Sequence, residues 1–195
     1  MKFRELPESA AWRHQTARNG FEVVFLRANA TEVRCDGCTT AIEASRAFIV
    51  EYAIELDAHW HTRRARVRAR ASANAPARET TLVSDGRGHW HVDGRPAPQL
   101  DGCLDVDLES SSLTNAFPIQ RLALAVGGVA EAPAAYVRAL DLAVERLEQR
   151  YVRIEDDHGR PCFEYSAPRF DFEAQLIYDE SGLVLEYPGI SVRMA

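Results

Sequence analysis

The sequence predicts a mainly β, single-domain protein built on an antiparallel sheet. Three observations carry that prediction. Apolar residues recur with a period of two, glycine-containing turn dipeptides separate the runs, and helical spacing is scarce. The 195 residues suit one domain, 1–195, and can bury a core without disulfides or metal.

Each element follows from its own pattern. Phe21, Val23 and Phe25 predict a strand with these three on its apolar face. Phe48, Val50, Tyr52, Ile54 and Leu56 form a wide apolar face, opposed by Glu51, Glu55 and Asp57. Phe170, Phe172, Ala174, Leu176 and Tyr178 repeat the pattern, and Leu183, Leu185 and Tyr187 give a fourth case. Asn19-Gly20, Asp36-Gly37, Asp85-Gly86, Asp93-Gly94, Asp101-Gly102 and Ser181-Gly182 read as turns, because glycine accepts positive φ without steric cost. Residues 71–78 read as a loop. A helix is expected over about 113–125, with Thr114 as its N-cap. Val137, Leu140, Val144, Leu147, Tyr151 and Ile154 also show helical spacing, so local reading makes 134–154 a helix. Wide apolar strand faces with little helix must meet a curled sheet, one covering helix or a ligand.

Composition excludes several classes. Twenty-three Lys+Arg against 29 Asp+Glu give a formal charge of −6, with no global attraction for nucleic acid or anionic membranes. No apolar run is long enough to span a membrane. The N-terminal residues Met1 to Glu8 carry no secretory pattern, so a cytoplasmic protein with reduced cysteines is expected. Arg64, Arg66, Arg68 and Arg70 line one face of a strand, read as a solvated face paired with acidic neighbours. No nucleotide loop, nucleophile elbow or HExxH motif is present, and no cofactor is expected.

The central motif is Asp101-Gly102-Cys103-Leu104-Asp105-Val106-Asp107-Leu108, followed by Thr114-Asn115-Ala116-Phe117-Pro118-Ile119. Trp60-His61-Thr62-Arg63, Asp85-Gly86-Arg87-Gly88-His89-Trp90, Gln149-Arg150-Tyr151 and Gly182-Leu183-Val184-Leu185-Glu186-Tyr187-Pro188 follow the same order of landmarks. Together they resemble the putative glycolipid-binding family of bacterial proteins. Ser112 and Ala116 depart from its usual Pro and Thr, and Leu140 from a frequent Pro. The resemblance implies an open, strongly curved antiparallel sheet, a half-barrel with a covering helix, like that of lipoprotein-carrier proteins. It implies strands rather than a helix over 134–154. It also implies a lipid or glycolipid held in the concave face.

The candidate ligand-binding residues are Trp60, Trp90, Asp105, Asp107, Thr114, Asn115, Arg121 and Tyr187. Asp105 and Asp107 lie two apart on a strand, with Cα atoms about 6.5–7 Å apart on one face. They read as head-group contacts or structural acceptors. The alternative is a hydrolase of a sugar- or ester-linked lipid, with the two as acid and base. Thr114 and Asn115 read as head-group donors or local caps. Trp60 and Trp90 read as the floor of a cleft or plain core. The His59-Trp60-His61 and His89-Trp90-His91 segments lie two strand spacings apart, about 9.5 Å, which argues against a shared metal. Cys35-Asp36-Gly37-Cys38 reads as a hairpin turn with flanking thiols, and no metal site is expected. A partner-binding domain with a filled core fits the same pattern.

Overall fold

The computed structural model describes residues 3–16 and 18–195; Met1 and Lys2, from the N-terminal segment read above, lie outside it, as does Ala17. The first half of the chain is a meander: β1 (Ser9–His14), β2 (Asn19–Ala28), β3 (Glu32–Glu43), β4 (Arg46–Asp57), β5 (Thr62–Arg70), β6 (Arg78–Ser84), β7 (Trp90–Val92) and β8 (Arg95–Pro96). The middle contains β9 (Asp105–Leu108), a 3-10 turn at Leu113–Asn115, and α1 (Ala116–Leu122). The second half holds β10 (Val129–Glu131), β11 (Ala134–Val137), β12 (Val144–Leu147), β13 (Arg150–Asp157), β14 (Arg160–Ala167), β15 (Phe172–Tyr178), β16 (Val184–Tyr187) and β17 (Ser191–Arg193).

Fourteen strands form one curved antiparallel sheet in the order β10-β13-β14-β15-β16-β17-β1-β2-β3-β4-β5-β6-β7-β8. The sheet is not closed into a barrel; its ends are β10 and β8. Register shifts interrupt it at Glu55/Leu56, Ile154/Asp157 and Ile177/Tyr178, where bulges sharpen the bend. The first and last strands pair, Trp12 opposite Arg193, which seams the two halves of the chain together. A small sheet, β12-β11-β9, packs with α1 on the inner face; β9 and β11 run parallel.

The strand at 48–56 is placed as its alternation predicts, with Phe48, Val50, Tyr52, Ile54 and Leu56 all buried. β2 has the predicted period and the opposite phase. Phe21, Val23 and Phe25 are 51%, 42% and 63% exposed, while Glu22, Val24 and Leu26 face inward. The cause is a buried polar network around Glu22, described below. Asp85-Gly86, Asp93-Gly94, Asp101-Gly102 and Ser181-Gly182 are turns, each glycine at positive φ. Asn19-Gly20 and Asp36-Gly37 instead lie within β2 and β3. Gly37 is required by close approach: a Cβ there would stand 2.2 Å from the Tyr52 ring.

Residues 134–154 are strands, as the family pattern implies. The helical spacing arises because β11, β12 and β13 are short and reverse direction. The turn between β11 and β12, with Leu142 at φ 58°, shifts the phase of the apolar residues. The helix is shorter than expected, entered by the 3-10 turn and ended at Ala123 with φ 46°. Thr114 lies in that turn and makes no N-cap bond. Phe170 leaves the predicted strand for a 3-10 turn at Pro168–Phe170.

Candidate functional site

A cleft of about 240 Å³ opens between the small sheet and the inner face of β14–β16. Its walls are aromatic. Tyr136 comes from β11, Tyr165 from β14, Phe172 from β15, Tyr187 from β16, and Phe170 from the turn before β15. Tyr165, Phe172 and Tyr187 stand steeply to one another, with centroids 5.8–6.2 Å apart and interplanar angles of 59–79°. Tyr136 and Phe170 form a second inclined pair at 5.6 Å and 54°. Asp107, Glu109, Ser111, Asn115 and Arg18 supply the polar lining.

Asp107 is the best-positioned polar group. The Thr114 hydroxyl donates to its Oδ1 at 2.7 Å and the Gln149 amide to its Oδ2 at 2.6 Å. The same Gln149 nitrogen donates to the Tyr165 hydroxyl at 3.0 Å, tying carboxylate to ring. Burial pushes the Asp107 carboxyl up to about 6; the two hydrogen bonds oppose this, and the charges of Asp105 and Glu109 reinforce it. Glu109 follows β9 and holds the Ala139 amide through Oε2 at 2.7 Å. Arg18 donates to the Glu109 carbonyl at 3.0 Å and pairs with Glu43 at 3.5 Å.

Of the sequence-predicted residues, Asp107, Asn115 and Tyr187 line this cleft, and Trp60, Trp90, Asp105, Thr114 and Arg121 do not. Asn115 is held by the Tyr151 hydroxyl, which donates to its Oδ1 at 3.1 Å. Thr114 acts by holding Asp107. Asp105 is gripped by Arg121 through both oxygens, at 2.5 and 3.3 Å. Burial raises the Asp105 carboxyl and the Arg121 guanidinium counters it. Trp90 is core, its indole donating to the Cys103 carbonyl at 2.8 Å. Trp60 is half-buried at φ 64°, against Phe117 with ring centroids 6.3 Å apart.

Tyr136, Tyr165, Arg18, Glu109 and Ser111 are cleft residues absent from the sequence-predicted set, and Phe170 and Phe172 were expected only as part of an apolar strand face. Glu109 continues the Asp105, Asp107 alternation, and Gln149 stood in a recognised landmark; those were the available signals. Behind Ser111 lies Glu22, fully buried. Tyr52 donates to its Oε1 at 2.6 Å, Ser111 to the same oxygen, and the Ser112 amide to Oε2 at 2.7 Å. Burial raises its carboxyl, and these bonds pull the other way.

The remaining motifs have local roles. Arg66 and Arg68 pair with Glu79 and Glu51 on the outer face. Cys35 and Cys38 sit three apart in β3 and so point to opposite faces. Among the described residues no group of three or more His, Cys, Asp or Glu is placed to hold a metal ion. No described helix is long and apolar enough to cross a membrane.

Residues 9–193 match the model of a family described as putative glycolipid-binding. The chain is similar to a solved DUF1089 family protein from Pseudomonas aeruginosa, at 31% identity and TM-score 0.75, over 100% of this chain and 96% of that one. It is also similar to a beta-barrel-like protein of the DUF1849 family from Brucella abortus, at 11% identity and TM-score 0.54, over 98% and 96%. That second likeness concerns the fold alone. No curated protein matches the chain.

Proposed function

The chain belongs to the putative glycolipid-binding family, and from that premise we propose that its aromatic cleft receives the head group of a lipid or glycolipid. The observation that carries this reading is the convergence of five aromatic rings on a buried, doubly held carboxylate. Aromatic walls pack against the C–H faces of a ring-sized group, while Asp107, Asn115 and Ser111 meet its polar edge. The cleft, about 240 Å³, has room for a ring-sized group.

The acyl chain's methylenes would lie outside, over the exposed Phe170 and the half-buried Phe172 and Ile190. Each methylene removed from water there contributes about 0.8 kcal/mol. The inner face of β2–β6 is occupied by protein: Trp12, Trp90, Leu100, Leu113 and Phe117 fill it. Hydrolysis by an Asp105–Asp107 pair has less behind it, because Arg121 holds both Asp105 oxygens and Asp105 is outside the cleft lining.

Native mass spectrometry on freshly purified protein tests the reading. A mass excess that vanishes on denaturation, with a lipid in the solvent extract, is expected. Phe172→Ala, at the rim, should lose most of that excess while keeping the wild-type circular dichroism. A bare polypeptide that also fails to bind a fluorescent glycolipid probe saturably would refute it.

A further inference from the structure

We propose that the cleft selects a head group carrying an organic ammonium charge. This rests on the head-group reading above and names the chemistry that the site recognises. Three features of the geometry lead there.

The first is the arrangement of the rings. A neutral sugar stacks on one open aromatic face. Here Tyr165, Phe172 and Tyr187 are mutually inclined by 59–79°, and Tyr136 and Phe170 by 54°. Inclined rings also pack edge to face, but all five of these line one cleft and so wall it from several sides. That is the arrangement in which several π-faces attract one rounded cation, and it serves quaternary ammonium groups elsewhere.

The second feature is charge. Asp107 and Glu109 both line the space. The cation beside them, Arg18, is already held by Glu43 and the Glu109 carbonyl. The phenols remain neutral, since burial raises the hydroxyls of Tyr136, Tyr165 and Tyr187 above their ordinary range. The lining therefore carries more negative than positive charge. A phosphate or carboxylate would be repelled, and a neutral ligand would leave a buried carboxylate without a counter-ion.

The third feature is rigidity. Thr114 and Gln149 fix Asp107, and Gln149 also fixes Tyr165. Carboxylate and ring are thus set in place before a ligand arrives, which lowers the ordering cost of binding.

An amino sugar and a choline-type head group share this ammonium chemistry. Isothermal titration calorimetry at neutral pH would compare four probes on the intact protein. Choline is set against its carbon isostere 3,3-dimethylbutanol, and glucosamine against glucose. At least one cation is expected to bind about tenfold or more tightly than its neutral counterpart, the scale of a desolvated cation–π contact with a carboxylate partner. The winning pair identifies the source. Asp107→Asn, confirmed as folded by circular dichroism, should erase most of that preference, and Phe172→Ala should weaken the cation by about fivefold or more. Equal binding of glucose and glucosamine, with choline silent, would overturn the ammonium assignment and leave the glycolipid reading standing. Silence from all four probes overturns the assignment, and an empty solvent extract beside it would take the head-group reading down as well.

Discussion

Asp107 shows how far burial outweighs hydrogen bonding at a single carboxylate. Both of its oxygens accept a bond, yet its carboxyl is held up at about 6. Removal from water disfavours the charged form more than Thr114 and Gln149 favour it. The folded chain therefore keeps this proton over a range where the unfolded chain has lost it. Stability falls as pH rises from about 4, the ordinary aspartate value, to about 6, by on the order of 2–3 kcal/mol for this group. Glu22 and Asp105, also raised by burial, act in the same direction. Asp107→Asn removes one contribution only. Its urea unfolding free energy should fall less than that of the wild type between pH 4 and pH 7. Identical pH dependence in the two proteins would show that Asp107 titrates normally.

At the scale of elements, legibility follows the contrast between a strand's two faces. β4 sets Phe48, Val50, Tyr52, Ile54 and Leu56 against Glu51, Glu55 and Asp57, so both its period and its phase were readable. β2 has large apolar residues on both faces, and its phase is decided elsewhere. Glu22 turns inward because its donors lie 30, 89 and 90 residues away, outside any local window. The cleft was half legible for the same reason. Asp107, Asn115 and Tyr187 sit in contiguous motifs, whereas Tyr136, Tyr165 and Phe172 meet only through the topology of two sheets. Asp36-Gly37 looked like a turn because the demand on Gly37 is made by another strand. Tyr52 crosses above it on the way to Glu22, so a Cβ at Gly37 would meet the ring carbon at 2.2 Å and the hydroxyl at 2.3 Å. Gly37→Ala should therefore cost about 1–3 kcal/mol, the range for overpacking a filled site. Denaturant unfolding measures it, and a loss below about 0.5 kcal/mol, the surface-substitution range, would mean that β3 and β4 are not so closely apposed.

For the whole molecule, the question is whether the two halves unfold as one. The core falls into two apolar clusters: one around Trp12, Trp90 and Phe117 that also takes in Ala135, Val137 and Leu183 of the second half, the other around Tyr151, Phe163, Tyr165 and Tyr178. Several connections join the halves besides the β9–β11 pairing. β17 pairs with β1 at the seam of the sheet. The Trp12 indole donates to the Val184 carbonyl at 2.7 Å, joining the first strand to β16. α1 places Phe117 in one cluster and Ile119 in the other, so neither half keeps its cover if the helix leaves. Opening one half would strip backbone partners and apolar contacts from the other, which favours a single cooperative transition. The chain supplies its own reporters, because Trp12, Trp60 and Trp90 lie in the first half while Tyr151, Tyr165, Tyr178 and Tyr187 lie in the second. Urea unfolding followed by tryptophan fluorescence should share its midpoint with the loss of amide-exchange protection in β13–β16. Two separated midpoints would instead divide the sheet at the β17–β1 seam, and would make the aromatic cleft a property of the second half together with β9 rather than of the whole fold.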